Sequence, residues 1–98
     1  MNMDTNPLLI PLEMRERYLD RRLRDVKNCD LKLLNLDWAY FERLGHQLKG
    51  NAASFGFKEL GCIANDIESS AKNKDLVQLE IYVKDFKNWF LELKGGLL

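Results

Sequence analysis

The chain has 98 residues, with 15 Lys+Arg against 15 Asp+Glu and no formal net charge at neutral pH. That balance argues against a nucleic-acid binder, which needs a basic patch or stripe, and against a polybasic membrane-surface module. With 46% hydrophobic and 31% charged residues, the expectation is one compact soluble domain with a modest core.

No apolar run approaches the length of a membrane span, and no basic segment followed by an apolar one opens the chain as a secretory leader would. A cytoplasmic location is therefore expected. Cys29 and Cys62 lack a C-x-x-C spacing and read as reduced, structural thiols.

Residues 1–10 read as a short N-terminal extension and residues 11–98 as a single helical domain. The only prolines are Pro7 and Pro11, so everything after them is free to form long helices. The first helix is expected to start near Pro11 and to run to about Leu34. Its buried stripe is Leu12, Leu19, Leu23, Val26 and Leu33, with Arg15, Arg22 and Lys27 solvated. A break is expected, if anywhere, near Asp30.

Asp37 suits the N-cap of a second helix that reaches Phe55, and Gly56 suits the left-handed position after it. A third helix spans Lys58 to Lys72 and buries Leu60, Ile63, Ala64, Ile67 and Ala71. Asn73-Lys74-Asp75 makes the next turn, with Asp75 as cap. In the fourth helix Leu76, Leu79, Val83, Phe86, Phe90 and Leu93 alternate spacings of three and four, the seam of a bundle helix. Gly95-Gly96 ends it. Short turns force antiparallel neighbours, so the fold class is all-α, an antiparallel up-down four-helix bundle.

His46 is the only histidine, and no other side chain has an unperturbed pKa near 7. On the second helix Tyr40, Leu44, Leu48, Ala52 and Phe55 form one apolar stripe, and His46 falls roughly 190° from its centre. Its neighbours on that outer face, Ala39, Gly50 and Ala53, are small. A ring that carries a phosphoryl group needs such exposure and a clear approach path, because phosphoryl transfer is mostly positioning and charge neutralisation. Gly50 costs a helix about 1 kcal/mol relative to alanine, which makes sense if a partner approaches the backbone closely. Lys49 is adjacent on the helix surface and offers a point charge to a phosphate. Each residue also has a bland reading. A lone exposed histidine is ordinarily just solvated, Gly50 could serve close helix packing, and Lys49 could be a solubilising charge.

The string His46-Gln47-Leu48-Lys49-Gly50, followed by Ser54-Phe55-Gly56-Phe57, resembles the signature of histidine phosphotransfer (HPt) domains of multistep two-component phosphorelays. The motif core covers about Leu44 to Gly61. The resemblance implies that His46 accepts a phosphoryl group from an aspartyl-phosphate of a receiver domain and passes it to another receiver. Lys49 would stabilise the phosphate, Gly50 would be the open position, and Gly56 would turn the chain into the next helix.

The family also sets polar residues of the third helix beside the ring. Here Gly61, Asn65, Glu68 and Lys72 make one stripe. Glu68 stands where many members carry glutamine. It could accept a hydrogen bond from Nδ1–H and leave Nε2 as the nucleophile, although a carboxylate would also repel a bound phosphate. Lys72 would add positive charge at the rim.

By this reading the protein is a carrier and not an enzyme, for no nucleotide-binding loop is present. It needs no cofactor of its own, and magnesium would come from the receiver partner. The expected partners are response-regulator receiver domains, a hybrid sensor histidine kinase, or both, docking on Ala39, Gly50 and Ala53 with Glu42, Arg43 and Lys49 at the edge of the patch. The chain itself is expected to be a monomer. One alternative is a helical adaptor that binds through the same face and is never phosphorylated. A metal-centred bundle enzyme fits poorly. Di-iron bundles use two Glu-x-x-His pairs, whereas Glu42 precedes the single histidine by four residues. A zinc site from His46, Cys29 and Cys62 would need distant helices to converge.

Overall fold

Two of the four helices start at capping residues legible in the sequence. The computed structural model describes residues 10–94 and contains four α-helices: α1 (Leu12–Leu34), α2 (Trp38–Asn51), α3 (Lys58–Lys72) and α4 (Leu76–Leu93). The Asp37 side chain accepts from the Tyr40 amide at 3.1 Å to cap α2, and Asp75 accepts from the Gln78 amide at 3.2 Å to cap α4. Each satisfies one of the donors a helix start leaves unpaired. The 1–10 extension, apart from Ile10, and the Gly95-Gly96 stop lie outside the described residues.

The expected end of α1 near Leu34 holds, and the expected end of α2 is corrected. α1 continues through Asp30 without a break. No Gly or Pro interrupts it there, and the Asp30 carboxylate is held by Lys87 of α4. α2 ends at Asn51 rather than Phe55. The chain tightens into a 3₁₀ turn over Ala53–Phe55, and Gly56 follows at φ 84°. The Phe57 amide then bonds back to the Ala52 carbonyl at 2.9 Å. Only a residue without a Cβ takes that left-handed step cheaply.

The helices alternate in direction. Tyr18, in the first half of α1, donates its hydroxyl to Asn51 Oδ1 at 2.6 Å, at the end of α2. The interior is built on Tyr18, Phe41, Leu48, Leu60, Ile67, Leu79, Val83, Phe86 and Phe90, all nearly sealed from solvent.

Leu12 does not join this core. It is 67% exposed, because the core-facing stripe of α1 starts a turn and a half later, at Tyr18. Arg15 and Arg22 are half-buried rather than solvated. Their guanidinium groups lie over the rings of Phe57 at 5.3 Å and Tyr18 at 4.5 Å, and Arg22 also bonds Asp25 at 2.7 Å. Long cationic side chains cover aromatic surface with their stems while keeping their charge near water. Leu76 and Leu93, at the ends of the α4 seam, remain exposed.

Candidate functional site

α2 turns Phe41, Leu44, Gly45 and Leu48 inward, which leaves His46 on the outer face. Its side chain is 73% exposed. The close approach of α2 to α3 depends on Gly45. A Cβ at that position would lie 2.6 Å from the Ala64 carbonyl oxygen and 2.7 Å from the Glu68 amide nitrogen. Backbone rests directly on backbone there, and the contact carries Glu68 of α3 up to the residues after Gly45.

Glu68 is 5% exposed and serves three cationic or donor groups. Lys49 Nζ donates to Oε1 at 2.6 Å. His46 Nδ1 lies 3.1 Å from Oε2, and Lys72 Nζ lies 3.6 Å from the same oxygen. The Lys49 hydrogen bond is the largest influence holding the Glu68 carboxyl below the usual carboxylate range. Burial opposes it, while the His46 bond and the charges of Lys49 and Lys72 assist. The group is therefore ionised at neutral pH. An ionised carboxylate only accepts hydrogen bonds, so the contact requires the proton of a neutral ring to sit on Nδ1. Nε2 then carries the lone pair.

This arrangement sets a pH dependence of stability. A carboxyl whose pKa is depressed by folding stabilises the native state above its unfolded pKa, and that contribution is lost as pH falls through the folded value. The stability difference between the native protein and Glu68→Gln should thus be fully present above the usual carboxylate range and shrink on acidification below it. Denaturant titrations at a series of pH values will show it, and a difference that stays constant into acid would contradict the ion-pair account.

A Cβ built on Gly50 meets no heavy atom within 4 Å. Close helix packing therefore does not explain that glycine, whereas it does explain Gly45, which sequence reasoning passed over. The signal was present, since Gly45 follows Leu44 on the inward arc of α2. Ala39, Glu42 and Arg43 line a shallow open concavity of about 440 Å³ together with His46, Glu68 and Lys72. Ala53 lies apart from them, in a second open hollow with Lys49, Gly61 and Asn65. The expected docking patch is thus two hollows rather than one. Cys29 is buried and Cys62 exposed. Among the described residues, no three His, Cys, Asp or Glu side chains are grouped so as to hold a metal ion. No helix among those residues is long and apolar enough to cross a membrane.

A family model described as Hpt domain matches residues 13–95. No curated protein and no solved structure matches the chain.

Proposed function

This chain belongs to the Hpt domain family, and from that premise we propose that His46 accepts a phosphoryl group from the aspartyl-phosphate of one receiver domain and passes it to another. Hpt domains take part in phosphorelay histidine phosphotransfer as carriers rather than kinases, and they interact there with receiver domains and kinases. The observation that supports the residue assignment is the tie between His46 Nδ1 and the buried Glu68 carboxylate, which leaves Nε2 as the nucleophile on an exposed ring.

In the forward step the Nε2 lone pair attacks phosphorus in line, the phosphorus–oxygen bond to the aspartate breaks, and the receiver's carboxylate departs. Lys49 and Lys72 provide charge. One carboxylate against two ammonium groups leaves one net positive charge beside the ring, which offsets the repulsion Glu68 exerts on a phosphate. Gly50 gives the incoming receiver unobstructed access to the helix backbone. Magnesium is supplied by the receiver, and docking uses two hollows, one that His46 lines with Ala39, Glu42 and Arg43 and one that Lys49 lines with Ala53.

The test is incubation with radiolabelled phospho-receiver domains from the same cell, comparing native protein with His46→Gln. Label should reach the native chain and not the variant. Label on neither, with binding retained, would leave a helical adaptor in place of a carrier.

A further inference from the structure

We infer that Glu68 also governs the return step, by keeping the Nδ1 proton on the ring after phosphorylation so that His46 leaves phosphorus as a neutral imidazole. The inference rests on the carrier reading above and extends it to the release of the phosphoryl group.

When neutral His46 attacks through Nε2, the ring gains a nitrogen–phosphorus bond while keeping its Nδ1 proton, and it therefore becomes cationic. Two fates are open to that ring. If Nδ1–H is retained, breaking the bond between Nε2 and phosphorus returns an electron pair to Nε2 and regenerates neutral imidazole. The phosphoryl group passes to a receiver carboxylate oxygen or to water. If Nδ1–H is lost first, the same cleavage must expel an imidazolate, which is a far poorer leaving group. The proton on Nδ1 thus decides whether the carrier can give up its cargo.

The charged groups around the ring come from two helices. Glu42 and Arg43 of α2 line the same hollow with opposite signs. Lys49 of α2 and Lys72 of α3 are cationic and favour loss of the proton, but both are directed at Glu68. Among the described residues, Glu68 is the side chain within hydrogen-bond distance of the ring. The two lysines keep that carboxylate ionised, so its charge remains available to the Nδ1–H. An opposite charge at this range favours the protonated, cationic form of the phosphorylated ring. Burial of the carboxylate, at 7% side-chain exposure, limits screening by water. Glu68 is a positioning residue here, acting through the ring rather than on phosphorus.

The experiment loads native protein and Glu68→Gln with potassium phosphoramidate, a small phosphoryl donor that needs no receiver. Release to water is followed by phosphorus NMR from about pH 5.5 to 9, a range that brackets ordinary imidazole titration. Release should slow as pH rises, with the midpoint for Glu68→Gln about 1–2 pH units below that of the native protein. Coincident midpoints would overturn the inference.

Nitrogen NMR of the phosphorylated native ring gives a reading without any variant. The Nδ1 proton should persist above neutrality, and a ring already deprotonated at neutral pH would also overturn it. The two readings fail separately. If phosphoramidate loads His46 with the expected pH profile but no receiver does, the relay assignment fails alone. If the native ring cannot be loaded at all, both fail.

Discussion

Replacing Gly45 with valine should cost the fold about 3 kcal/mol or more, while bulk at Gly50, five residues on, should leave the helices standing. The new side chain at position 45 would meet the Ala64 carbonyl and the Glu68 backbone at less than 3 Å. These atoms cannot swing aside as a flexible side chain would. α2 and α3 must separate along their contact, and overpacking of this kind costs typically 1–3 kcal/mol, more when backbone has to move. Against a total stability of roughly 5–15 kcal/mol for a domain of this size, that is a large fraction. Separation also pulls Glu68 away from Nδ1 and Lys49, so phosphoryl acceptance should fall below what the residual folded fraction explains. At Gly50 there is open space. Gly50→Trp should keep native helicity yet slow transfer from a receiver, because it fills the approach path. Circular dichroism with denaturant and a transfer assay on both variants will separate the two glycines. Equal stability losses would refute the distinction.

Phe86→Ala should lower stability by about 3–5 kcal/mol, the usual cost of deleting a fully buried ring. Phe86 is 0% exposed and stacks beside Trp89 with centroids 6.3 Å apart, so its removal leaves a cavity that the helices cannot readily close. For a domain of 60–100 residues each kcal/mol moves Tm by about 4–8 °C, which makes a drop of at least ~12 °C the expected reading. Phe86 lies on α4, outside the His46 site. Below the new Tm the variant should therefore still accept label on His46. Loss of acceptance in a variant shown to be folded would mean that α4 shapes the site.

Periodicity exposed the bundle because apolar residues recur at spacings of three and four along α3 and α4, and Asp37 and Asp75 announce their helices by capping chemistry. What sequence could not convey was depth. Tyr18 and Trp89 carry polar atoms, and Tyr18 follows Arg17, yet both are buried, Tyr18 because Phe55 and Phe57 stack on it at 4.4 and 5.5 Å. Arg15 and Arg22 look like surface charges in one dimension and become lids over rings in three. At the site, helical spacing gave the outward direction of His46 and the proximity of Lys49. The bond from His46 to Glu68 was also foreseeable from helical spacing, but the Lys49 bond to the same carboxylate follows only from the contact between α2 and α3. That contact depends on Gly45, whose place on the inward arc of α2 was legible but whose closeness to the α3 backbone was not.

The hydroxyl of Tyr18 on Asn51, beneath the stacked rings, has a further consequence. It fastens the far end of the α2–α3 hairpin to α1 before any partner arrives. A visiting protein meets a surface that is already shaped, and little of its association energy is consumed in freezing that hairpin. More of the contact energy is then left to hold the partner in place.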